Sequence, residues 1–345
     1  MAEPAEETDR WLTAQIKAAA ELVEVGSEAL RRRRTGAGAE ALEEAEAILD
    51  MAERETDDLL QMRARVFNEQ GVVFQRRGQL EKSRDYHGQA AEICDELLDR
   101  GRDFASNAAA TNLNLSSILL ALDDQQRAEE CGRKALDLLE QQSDADDEDK
   151  PANPLELGAR QNLAVIFARQ KRWDEANEMM ERAGQIADEL ADAGRPNYLG
   201  QLAQGCQQLS VIFFDNEEFD DALRWGRRAE ELSERGYQTL GRNILPIYIV
   251  SQINLISYYE KLGRYADAED CLWKALDVAG NEPRILARGV GFYETCRKQA
   301  DKRLEEGNLP RDEVQEGYDE LMEQVEAAGG LSEVRKRAQA ARRRR

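Results

Sequence analysis

A chain of 345 residues that is 41% apolar and 34% charged can build a sizeable core, which excludes global disorder. Its 69 acidic against 47 basic side chains give a net charge of −22, a field that repels nucleic acid and anionic lipid unless cations cluster locally. A single histidine, His87, rules out any site needing two imidazoles of this chain, so composition leans from enzyme toward interaction protein.

The first residues, MAEPAEETDR, lack the basic and apolar regions of a secretory leader. Thr8–Arg33 reads as a long helix whose basic end, Arg31–Arg34, complements the helix dipole. A break at TGAG (35–38) and a second helix, Ala39–Glu55, follow, so 1–58 is expected to be a degenerate helix pair acting as a cap.

From there to residue 283 the chain repeats itself five times. The copies run 68–90, 113–135, 161–183, 207–229 and 253–275. Each carries a small anchor, Ser83, Ala128, Ala176, Ala222 or Ala268, with alanine seven residues on at Ala90, Ala135, Ala183, Ala229 and Ala275. Nine residues before the anchors stand Phe74, Leu119, Phe167, Phe213 and Tyr259. Spacings of three, four and seven make helical stripes, broken near Gly78 or Gly263 and restarted at once. One such pair cannot bury its own stripe, so neighbours must stack. Gln125 and Gly132 replace bulkier residues in the second copy, which is expected to pack more loosely. The apolar run Ile244–Tyr259 contains Ser251, Gln252, Asn254 and Ser257 and is too short and polar for a membrane span. A buried array helix explains it.

The acidic stretch SDADDEDKPANP (143–154) reads as a solvated connector. At the far end, Ile285–Glu306, a break at GNLP (307–310) and Arg311–Ala328 make a last degenerate pair over 284–330. The remaining 331–345 is a basic tail, whose final RKRAQAARRRR holds seven cations and no acid. It is read as solvated or folded back on the acidic body, or as a dock for an acidic protein. Nucleic acid is a weaker reading, since no stacking aromatics accompany the arginines.

The anchor, alanine and aromatic columns resemble those of tetratricopeptide repeats (TPRs). The anchor intervals of 45 to 48 residues exceed the usual repeat of about 34, so both helices are lengthened. Long units of this kind are similar to kinesin-light-chain-like and bacterial regulator TPR arrays. The resemblance implies an all-α, right-handed α-solenoid of antiparallel helix pairs, a TPR-like superhelix with a concave, peptide-binding groove.

Fourteen residues before the anchors lies a polar column on the first helix of each pair: Glu69, Asn114, Asn162, Gln208 and Asn254. An amide offers one donor side and one acceptor side, matching a peptide unit without reading its side chain. The TPR resemblance implies that Asn114, Asn162 and Asn254 contact the main chain of a bound segment, with Gln208 a longer isostere and Glu69 a departure. The other reading is a set of hydrogen bonds between neighbouring repeats. Seven residues further stand Arg76, Ala121, Arg169, Asp215 and Lys261. Arg76, Arg169 and Lys261 suggest a positive strip for an acidic peptide, or else ordinary surface ion pairs.

His87 and Cys94 lie two helical turns apart, about 10.5 Å of rise, beyond direct hydrogen-bond reach. No paired cysteine spacing, phosphate loop or metal motif occurs, so neither metal nor cofactor is expected. The five cysteines are read as small hydrophobes of a reduced, cytoplasmic protein. The expected function is a non-enzymatic adaptor binding a protein or peptide in the groove. The alternative is a scaffold subunit of a larger enzyme or nucleoprotein complex, engaged through the outer surface or the tail.

Overall fold

The computed structural model describes residues 4–141 and 152–343; most of the acidic connector and the last two residues of the basic tail lie outside them. Among the described residues all regular structure is helical, and the chain divides into two compact units, Met1–Ile186 and Ala187–Arg345. This division falls inside the array and not at the cap boundaries expected at 58 and 283.

The first unit contains α1 (Pro4–Arg31), α2 (Thr35–Asp50), α3 (Asp57–Arg76), α4 (Leu80–Asp99), α5 (Ala105–Ala121), α6 (Gln125–Gln141), α7 (Pro154–Arg169) and most of α8 (Trp173–Asp192). The second contains the end of α8, α9 (Asn197–Asp215), α10 (Phe219–Leu240), a 3-10 turn (Gly241–Asn243), α11 (Leu245–Leu262) and α12 (Tyr265–Ala279). It ends with α13 (Pro283–Cys296), α14 (Asp301–Glu306), α15 (Arg311–Ala327) and α16 (Leu331–Arg343). α1, α3, α5, α9 and α11 each pack on the helix that follows as an antiparallel pair, and pairs stack within each unit.

One backbone device punctuates the array. Left-handed residues stand at Arg33, Gly78, Asp123, Lys171, Glu217, Gly263 and Asn308, each 45 to 48 residues from the next. At Gly78 the amide reaches Gln75 O at 2.9 Å while that of Gln79 reaches Phe74 O at 2.9 Å. The same two bonds recur at the other six positions, as in Lys171 to Ala168 O and Arg172 to Phe167 O. This is the Schellman closure, which satisfies the last carbonyls of the first helix and reverses the chain. Arginine follows the left-handed residue in two copies and lies over an aromatic ring, Arg172 on Phe167 at 4.1 Å and Arg264 on Tyr259 at 4.8 Å.

Five residues beyond the turns at Gly78, Asp123, Lys171, Glu217 and Gly263 come the anchors. All five anchors and the five alanines seven residues on are 0% exposed, so the small columns are the contact between helices. Ser83 donates its hydroxyl to Gly71 O at 2.7 Å across that contact, and Ser116 donates to Ala128 O at 2.8 Å. Large rings fill the space beside it, with Phe167, Phe213 and Tyr265 buried.

Four expectations are corrected. TGAG is not a break: Thr35 starts α2, and Gly38 and Ala45 occupy the two small columns of the first pair. A Cβ on Gly38 would lie 3.2 Å from Gly26 O, so the glycine is there for close helix approach. The second copy is not loose at Gly132, where an added Cβ would meet Leu163 Cδ2 at 3.0 Å. Residues 331–343 form a packed helix, with Val334 and Ala338 against α13 and Arg335 paired with Glu294 at 3.3 Å. The span 285–306 is likewise two helices, interrupted at 297–300.

A left-handed backbone favours glycine by about 1 kcal/mol over side chains with Cβ. Lys171→Gly and Glu217→Gly should each raise stability by about that amount and Gly263→Ala should lower it, as read from urea midpoints at constant slope.

Candidate functional site

The first helices α3, α5 and α7 of the first unit carry the polar column as expected, but much of it is engaged inside the protein. Asn114 donates from Nδ2 to Asn68 Oδ1 at 3.0 Å, joining α5 to α3. Asn162 donates to Ser117 Oγ at 2.7 Å, with Leu113 O at 3.5 Å, joining α7 to α5. In the second unit that work falls to Gln207, one position earlier than the column, whose Nε2 reaches Ile247 O at 2.6 Å and Ser251 Oγ at 2.7 Å on α11. Gln208 is exposed, and Asn254 is half-buried; neither makes a side-chain hydrogen bond within the described residues.

The cation column divides in the same way. Arg76 donates to Leu30 O and Arg169 to Leu120 O at 3.2 Å, each at the C-terminal end of the preceding first helix. These carbonyls already accept the turn amides of Arg33 and Asp123 and carry the negative end of the dipole, so each arginine adds a charge-assisted bond at a helix C-terminus. Arg169 also lies 3.7 Å from Asp123. Lys261, in the second unit, is exposed and has no ion pair among the described residues.

Two cavities open on these faces, each between three first helices or their equivalents. In the first unit a pocket of about 90 Å³ lies among α1, α3 and α5, lined by Val23, Arg65, Asn68, Glu69, Asn107 and Thr111 among others. Burial raises the Glu69 carboxyl above its usual range, against a hydrogen bond from Ser27 and the charges of Arg65, Arg31 and Arg76, which lower it. In the second unit a cavity of about 310 Å³ lies among α11, α13 and α16, lined by Val250, Ile253, Arg284, Ala287, Arg288 and Ala338, with Gly291. Val250 stands one turn before Asn254. Arg288 is held by Glu260 and by Ser257 Oγ at 3.3 Å, and Arg284 by Glu282 at 2.8 Å.

Asn68 and Gln207 escaped the sequence reading. The column one residue before the polar one is Asn68, Leu113, Gln161, Gln207 and Ile253, so amides occupy three of its five places. That signal was present, diluted by the two apolar members.

His87 and Cys94 do not meet: the imidazole Nδ1 faces Asn68 Oδ1 at 3.0 Å, and the thiol approaches Thr111 Oγ1 at 3.9 Å. Burial pushes the Cys94 thiol up to about 11, and those of Cys271 and Cys296 to about 12, which suppresses the nucleophilic thiolate. Among the described residues no group of three or more His, Cys, Asp or Glu is placed to hold a metal ion. No helix there is long and apolar enough to cross a membrane.

Residues 11–326 match a family described as "Family of unknown function (DUF6483)". The chain belongs to this family. No curated protein matches it in sequence. Its fold is similar to the apo form of the quorum sensor NprR from B. thuringiensis, 14% identical, covering 97% of each chain with a TM-score of 0.54. It is also similar to apo RapI, 15% identical, covering 90% of this chain and 99% of that one with a TM-score of 0.53. A putative kinesin light chain from Podosopora anserina with TPR-like repeats is 19% identical over 63% of this chain and 94% of that one, with a TM-score of 0.45. The DUF6483 chain is thus an all-α, TPR-like repeat protein.

His87 supplies a stability test for the link to Asn68. Its ring is 0% exposed, and burial lowers its pKa from 6.5 to about 4. The unfolded chain therefore binds this proton more readily, so stability is full above pH 6.5 and falls as the pH drops toward 4. Between pH 7 and pH 5 the wild type should lose about 2 kcal/mol more than His87→Met, measured by urea unfolding of both proteins at the two pH values.

Proposed function

We propose that this protein is a non-enzymatic interaction adaptor that binds an extended peptide or protein segment on the first-helix face. A fold shared with a quorum sensor does not decide the ligand, which must be argued from the site. The observation that supports the reading is the set of uncommitted polar groups left once the internal bonds are made. Gln208, Asn254 and Lys261 present an amide, a second amide and a cation without a partner inside the described protein, and Val250 and Ile253, on the same helix as Asn254 and Lys261, line an apolar cavity. Paired donors and acceptors beside apolar pockets suit an extended main chain with alternating side chains, and Lys261 favours an acidic one.

Asn114, Asn162, Arg76 and Arg169 then serve chiefly to keep first helices in register, with their remaining hydrogen-bonding capacity turned to the ligand. The outermost helix pairs act as caps. Buried reduced thiols suit a cytoplasmic setting.

A triple substitution, Gln208→Ala, Asn254→Ala and Lys261→Ala, removes no internal bond. It should abolish partner capture from native lysate while leaving helical circular dichroism and the melting temperature unchanged. Undiminished capture would count against this face.

A second reading, that of a scaffold subunit engaged through its C-terminus, draws on α16. Its exposed Arg335, Lys336 and Arg337 form a basic outer face, where Arg335 and Arg337 have acidic partners and Lys336 has none among the described residues. Lys336→Glu should abolish capture if this helix is the dock and leave it intact if the first-helix face is.

A further inference from the structure

The pocket among α1, α3 and α5 has a donor whose direction is decided from behind. Asn68 Oδ1 accepts Asn114 Nδ2 at 3.0 Å and also faces His87 Nδ1 at 3.0 Å. An amide oxygen can only accept, so His87 carries its proton on Nδ1 and donates. Its Nε2 is then a buried acceptor with no partner, lying against Gly71, where an added Cβ would come within 2.6 Å. The ring has no room to turn and no second partner to choose. With its oxygen held by two donors, the Asn68 amide cannot flip, and Nδ2 has no partner within the described protein.

Asn68 lines the pocket, and Glu69 beside it brings a carboxylate to the same space. The pocket therefore presents a fixed N–H donor beside a carboxylate acceptor, in about 90 Å³, room for a few waters or the end of one side chain. We propose that it takes a primary carboxamide, the side chain of an asparagine or glutamine in the bound segment, with Asn68 Nδ2 donating to its oxygen and Glu69 accepting from its nitrogen. The identification of the source as a peptide side chain rests on the function proposed above.

The alternatives fit less well. A carboxylate would meet Glu69 with the wrong sign and no proton to give. A cation is not called for, since Arg31, Arg65 and Arg76 already act on Glu69. A hydroxyl puts donor and acceptor on one atom, whereas Asn68 and Glu69 occupy separate positions on α3. Thr111 and Asn107 on α5 complete the polar rim. His87 and Asn114 are positioning residues here: neither need touch the ligand, and both hold Asn68 in the orientation that discriminates amide from acid.

The test uses the full chain, labelled with 15N-asparagine, and a matched pair of probes, N-acetyl-glutamine methylamide and N-acetyl-glutamate methylamide. The glutamine probe should shift the Asn68 side-chain signal and bind about 10-fold more tightly than the glutamate probe, the scale of one or two buried polar contacts. Asn68→Ala should remove the binding. His87→Met should bring the ratio of the two affinities toward one while the fold persists, because Asn68 is then freer to turn; a structural role alone would leave that ratio in place. Absence of binding, equal affinity for both probes, undiminished binding in Asn68→Ala, or an unchanged ratio in His87→Met would overturn the assignment. Because Gln208, Asn254 and Lys261 lie in the other unit, their capture experiment can fail while the probe binds, and the reverse.

Discussion

Two small positions, seven residues apart on the second helix of each repeat, bring that helix against the first with almost no side chain between them. At this separation alanine fits and larger residues do not, and Ser83 fits by turning its hydroxyl onto Gly71 O. Close contact along one line leaves the rest of each helix's apolar stripe uncovered. The next pair must cover it, and stacking follows from burial without any further specification. Gly132 shows the same constraint from the other side: its missing Cβ is space taken by Leu163 from the following repeat.

Stacking also decides the fate of the polar groups. An amide on a first helix lies either toward a neighbouring first helix or toward solvent, and leaving it buried and unpaired is costly. Asn114, Asn162 and Gln207 bond to the neighbouring helix, whereas Gln208 and Asn254 have no internal partner. Arg76 and Arg169 meet the carbonyl ends of preceding helices, which draws charge from the surface into the joints of the array. The same ladder that locks the repeats thus prepares the face, since residues held in place by their neighbours bind without further ordering.

The columns of alanine and aromatic residues were legible because helical spacing converts directly into a buried face. Some turns were not. Gly78 and Gly263 announce a reversal, but Asp123 and Asn308 only tolerate the same left-handed conformation, and Arg33, Lys171 and Glu217 adopt it with side chains that do not favour it. Two Schellman hydrogen bonds and the packing of the next helix offset that cost, and neither is visible in a residue name. TGAG misleads for the converse reason: small residues that look like a break are the contact surface between α1 and α2. In 331–343 the run of cations obscures Val334 and Ala338, whose four-residue spacing is enough to seat a helix.

Composition and periodicity by themselves determined an all-α repeat array, its register, its buried small columns, and the polar column of its first helices. These are properties of spacing along one helix, and a helix has only one period. Which amide is bonded inward and which is left free was decided by tertiary structure, because one residue turns a side chain by about 100° around the axis. Asn68 became a directed donor only where α4 brings His87 and α5 brings Asn114 to its oxygen. Those three residues come from different helices, and no local pattern in the chain contains their meeting.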